Sequence, residues 1–83
     1  MNEDIQWAID EPIRITQMSD TAYYVERVNG QDSLTLTFTP DAHMYINGQY
    51  RDLGDTFVQF IGLVDEYHDS PDSAHGGTIT LTP

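Results

Sequence analysis

The stretch Leu53–Tyr67, LGDTFVQFIGLVDEY, constrains the fold more than any other part of the chain. Phe57, Phe60, Ile61, Val64 and Tyr67 fall at three- and four-residue intervals, the period of an apolar stripe on a helix. Asp55, Gln59, Gly62, Glu66 and Asp69 fall on the opposite face. Asp55 stands where a side chain caps a helix start and complements its positive end. The pattern predicts a helix over about 55–67. A lone amphipathic helix of that length is marginal in water, so it needs a sheet to lie on.

The rest of the chain supplies strands. Ser33–Thr39 alternates without a break, with Leu34, Leu36 and Phe38 on one side and Ser33, Thr35, Thr37 and Thr39 on the other. Tyr23–Val28 is β-rich and places Tyr23 and Val25, with Arg27, opposite Tyr24, Glu26 and Val28. Asn29-Gly30 joins these two strands and Asn47-Gly48 joins His43–Ile46 to Gln49–Arg51. Asn-Gly is the strongest short hairpin signal, because a type I′ turn needs positive φ at both central residues. Met18–Thr21 and Pro40–Ala42 read as turns. Ile5, Trp7 and Ile9 alternate with polar residues, Pro12 interrupts, and Ile13 and Ile15 resume, which reads as one bent or two short strands near a sheet edge. His68–Gly77, HDSPDSAHGG, is a breaker-rich loop. Thr78–Thr82 closes the sheet with Ile79 and Leu81 inward. The expectation is an α+β fold: an antiparallel sheet of four to six strands with one amphipathic helix packed on one face, as a single domain over 1–83.

Charge narrows the function. Fourteen Asp and Glu face only Arg14, Arg27 and Arg51, there is no Lys, and the net charge is −11. The acidity is dispersed: two arginines meet eight acids in residues 1–42, and one meets six in residues 43–83. Such a body repels itself and repels nucleic acid and anionic membrane. With no Cys, neither a disulfide nor a thiolate zinc site is available. No apolar run approaches the ~18 residues of a membrane span, and the opening MNEDIQW is acidic where a secretion signal is basic. A cytoplasmic protein is the expectation.

No motif for catalysis stands out, and we expect neither an enzyme nor a cofactor. His68, Asp69, Asp72 and His75 lie close together, but their Ser-Pro-Asp-Ser-Ala setting offers no rigid, oriented ligand set, so no metal site is expected. Ser70 with His43 or His68 lacks a nucleophile elbow. Two groups of residues point instead to partner binding. Asp65, Glu66, Asp69 and Asp72 collect at the helix end where the dipole disfavours anions, with no Lys or Arg nearby in sequence. Tyr24, Tyr45 and Tyr50 are tyrosines expected at the surface, as is Trp7. Large rigid side chains among carboxylates suit a binding surface.

In size, acidity and lack of motifs the chain resembles the phage-encoded DNA-mimic inhibitors: anti-CRISPR proteins, uracil-DNA glycosylase inhibitors and anti-restriction proteins. The resemblance implies a non-enzymatic binding protein of the host cytoplasm that occupies the basic, nucleic-acid-binding groove of another protein, without touching nucleic acid itself. Two alternatives stand beside it. One is an ordinary domain adapted to a salty cytoplasm, where screening relieves the repulsion. The other is a structural or assembly subunit, including a homodimer, pairing through open sheet edges.

Overall fold

A computed structural model describes residues 5–52 and 54–83. Six strands form one antiparallel sheet: β1 (Ile13–Gln17), β2 (Ala22–Arg27), β3 (Ser33–Phe38), β4 (Met44–Ile46), β5 (Gln49–Arg51) and β6 (Thr78–Leu81). Their spatial order is β5-β4-β3-β2-β1-β6. The first five make a meander, each beside its predecessor. The helix α2 (Asp55–Asp69) then carries the chain back over one face, and β6 pairs with the far side of β1. The dimensions explain the route. A helix of 15 residues is about 22 Å long at 1.5 Å per residue. Five gaps between strands at about 4.8 Å span about 24 Å.

Strand alternation decides what is buried. Ile13, Ile15, Tyr23, Val25, Leu34, Leu36, Met44, Ile46 and Ile79 point to the helix side and join Phe60 and Tyr67 of α2 in one core. The apolar stripe is rotated slightly from the expected one. Phe57, Leu63 and Val64 pack against the core beside Phe60 and Tyr67, whereas Ile61 is half-buried outside that set and Val58 is exposed. A stripe wider than two positions per turn leaves its centre open until a sheet is laid against it.

Several expectations are corrected. The first segment is not a strand: Trp7–Asp10 forms a single helical turn, α1, and Ile5, Trp7 and Ala8 are all buried in the core. Trp7 is therefore not a surface residue. Five residues of alternation do not separate a strand from a turn whose side chains converge on a neighbouring core. Nor does β1 lie at an edge, since it sits between β2 and β6. Pro12 is tolerated because it precedes the strand, where its carbonyl accepts the Val28 N–H at 3.2 Å. Asp55 is the first helical residue rather than the cap, which is Gly54 at φ 57°, with no side-chain hydrogen bond. Asp55 keeps its favourable place in the first turn.

The two Asn-Gly pairs part ways. Asn47 (φ 53°) and Gly48 (φ 83°) adopt the left-handed conformation that a type I′ turn requires, and the Asn47 side chain accepts the Thr35 N–H at 3.0 Å. Asn29 and Gly30 do not enter that region; the connection is longer, closed by the Arg27 N–H on the Asp32 carbonyl at 2.9 Å. The Arg27 guanidinium holds Glu11 (2.8 and 2.5 Å) and Asp32 (2.7 Å), and its stem lies so close that a Cβ on Gly30 would come within 2.9 Å. The paired Arg27 side chain lies along this loop. The expected loop at 68–77 is partly ordered as a 3-10 turn over Pro71–His75, started by Ser70 and ended by Gly76 at φ 69°.

Candidate functional site

Asp65, Glu66 and Asp69 stand on the outward face of the last two turns of α2, and Asp72 follows in the first turn of the 3-10 segment. All four are exposed. The helix ends here, and the negative end of its dipole adds to their potential. Among the described residues none of the four forms an ion pair; the pairs that do form lie elsewhere. Arg27 serves Glu11 and Asp32, Arg14 faces Glu26 at 3.8 Å, and His43 Nδ1 meets Asp41 at 3.0 Å. The Arg27 hydrogen bonds hold the Glu11 carboxyl below its ordinary range. The Thr39 hydroxyl, 2.5 Å from Asp41, does most to hold that carboxyl low as well.

The tyrosines lie on the other side of the molecule. Tyr24, Tyr45 and Tyr50 alternate away from the core, on the face of the sheet that no described helix covers. Tyr45 and Tyr50 are cross-strand partners with ring centroids 5.8 Å apart. Around them the register sets Thr16 beside Tyr24, Tyr24 beside Thr35, and Thr37 beside Tyr45. Among the described strand residues, the charges on this open face are the facing pair Arg14 and Glu26. The seven residues expected to bind a partner thus fall on two surfaces, back to back: an acidic helix face, and a nearly neutral face of threonine and tyrosine.

Sequence reading did not single out a third feature. A groove of about 270 Å³ opens between α1, α2 and the end of β6, lined among others by Ile9, Gly62, Leu63, Glu66 and Leu81. Its only sequence signal is a glycine in mid-helix. The residues weighed for chemistry remain apart. Ser70 Oγ accepts from the Asp72 N–H, His68 Nε2 meets the Tyr23 hydroxyl at 2.8 Å, and the His75 side chain lies outside what is described. Among the described residues no three metal-binding groups converge, and no helix is long and apolar enough to cross a membrane. Comparison with protein-family models, with curated proteins and with solved structures gives no match to this chain.

Proposed function

We propose that the protein is a non-enzymatic inhibitor of the DNA-mimic kind, which lays the outer face of α2 into the basic, nucleic-acid-binding groove of another protein. The observation that carries this reading is the set of four exposed carboxylates, Asp65, Glu66, Asp69 and Asp72, none of them in an ion pair among the described residues, with Glu66 and Asp69 in the last turn of a helix whose dipole disfavours them. Asp72 has a local reason for its place, in the first turn of the 3-10 segment, but Glu66 and Asp69 in the last turn of α2 do not, whereas a cationic partner surface supplies one. Duplex DNA offers its ligands a charge for every ~1.7 Å of axis, so a competitor needs carboxylates spread over a folded surface. This chain spreads them along a helix, its following turn, and the neighbouring turns that carry Asp20 and Asp41.

The test is immobilised protein exposed to a bacterial lysate, with elution by salt and, separately, by duplex DNA. Proteins that duplex DNA displaces are expected. The variant Asp65→Asn/Glu66→Gln/Asp69→Asn/Asp72→Asn should keep the fold, associate more slowly with the captured protein and show a flatter salt dependence, because steering by charge acts mainly on the on-rate. Per charge removed, Glu26→Gln on the open sheet face should matter less. Equal association rates of parent and quadruple variant at low salt would sink the proposal. A second reading, a self-associating assembly subunit, draws on the neutral Tyr24/Tyr45/Tyr50 face; it requires a concentration-dependent dimer in sedimentation, lost in Tyr45→Ser/Tyr50→Ser.

A further inference from the structure

Gly62 lies in the middle of α2, where glycine lowers helix stability relative to alanine. Among the described residues no close contact accounts for it. Its φ is not in the left-handed region, and a Cβ built on it would meet no atom within 4 Å. What a side chain there would occupy is the groove between α1, α2 and β6. The groove is apolar along Ile9, Leu63 and Leu81 and carboxylate-bearing at Glu11 and Glu66. Both oxygens of Glu11 are held by Arg27, so the free charge at the mouth belongs to Glu66, one helical turn beyond Gly62.

We propose that this groove receives an arginine side chain of the basic partner, its stem lying over Gly62 against Leu63 and Leu81 and its guanidinium meeting Glu66. The proposal rests on the acidic-surface reading above and adds to it a specific pocket. Charge complementarity selects a cation, and the apolar wall selects which one. Arginine carries a long aliphatic stem and a planar, weakly hydrated head that tolerates apolar surroundings and grips a carboxylate with two parallel hydrogen bonds. The ammonium of lysine is compact and strongly hydrated, and stays at the mouth. Asp65 and Asp69, on the adjoining turns, would attract either cation without distinguishing them.

The test uses fluorescein-labelled nona-arginine and nona-lysine peptides with the full chain, read by anisotropy at low salt. The parent should bind the arginine peptide more tightly by about fivefold or more, the order expected of one additional charge-assisted hydrogen-bonded contact. Gly62→Ala should raise the melting temperature, which shows the fold intact, and should erase that preference while leaving nona-lysine affinity within about twofold. Glu66→Gln should also narrow it. In amide NMR spectra, Gly62, Leu63 and Leu81 should shift with nona-arginine and not with nona-lysine. Equal affinities of the two peptides for the parent, or a preference that survives Gly62→Ala, overturns the pocket while leaving the acidic surface standing. Failure of both peptides to bind the parent overturns the acidic-surface reading, and the pocket with it.

Discussion

The hydroxyl of Tyr67 stands between Gln17 and Gly77, accepting the Gln17 N–H at 3.2 Å and donating to the Gly77 carbonyl at 2.9 Å. Thr16 faces Thr78 in the β1–β6 register, so Gln17 and Gly77 are the next opposed pair. There a side chain from α2 takes the place of a backbone rung. One buried phenol thereby ties the end of the helix to the two strands it must bridge. Tyr67→Phe keeps the ring and leaves both backbone groups without a partner. It should cost about 1–3 kcal/mol, read by urea unfolding, and speed amide exchange at Gln17 more than at Val25.

Phe60 and Ile61 are neighbours in sequence with different fates. Phe60 is fully buried, and Phe60→Ala should cost about 3–5 kcal/mol, enough to unfold much of so small a protein. Ile61 lies outside the packed set, and Ile61→Ala should cost about 1 kcal/mol or less. Equal losses would show that the stripe is rotated differently.

Two turn positions should respond in opposite directions. Gly48 at φ 83° resists a β-branched residue, so Gly48→Val should lower stability by about 1–2 kcal/mol. Ala42 holds a left-handed conformation at φ 66° without being glycine, so Ala42→Gly should raise stability by up to about 1 kcal/mol. Thermal melts of the two variants check both signs.

Acid and alkali should act through different residues. The Arg27 hydrogen bonds depress the folded pKa of Glu11, so their contribution is complete above the ordinary carboxylate range and is lost as pH falls through the depressed value. Protonating the unpaired carboxylates meanwhile relieves repulsion. The melting temperature should therefore rise as pH falls from about 7 into the ordinary carboxylate range, and the advantage of the parent over Glu11→Gln should shrink only below that range. At the other extreme, burial raises the pKa of Tyr23, with Tyr67 and Asp20 adding to it. A phenol that ionises later in the folded chain than in the unfolded one destabilises the fold as pH rises past about 10. Tyr23→Phe should flatten that alkaline loss.

Much of this architecture is written in short-range pattern. Alternation at Ile13–Ile15, Tyr23–Val25 and Leu34–Leu36 assigns inward and outward residues correctly, because a strand's period of two is independent of what it packs against. Asn47-Gly48 turns as expected because its preference lies in its own backbone. Asn29-Gly30 has the same preference and does not realise it: its longer connection closes through the Arg27 N–H on the Asp32 carbonyl and lies against the Arg27 stem. Trp7 and Ile5 mislead for a related reason: a one-turn helix is held by the core it caps, not by its own period.

The candidate surfaces divide along the same line. That Asp65, Glu66 and Asp69 share the outside of a helix follows from its period, as does the parity that sets Tyr24 and Tyr45 opposite Tyr23 and Met44. Periodicity groups residues into faces but does not say which faces meet. That choice belongs to long-range burial: α2 covers the side carrying Ile15, Val25 and Leu36, which leaves the tyrosines on one surface and the carboxylates on its reverse. The same burial brings α1 and the end of β6 alongside Gly62 to form the groove. It also seats the Tyr67 hydroxyl between Gln17 and Gly77, two residues 60 positions apart whose meeting exists only once the sheet has closed.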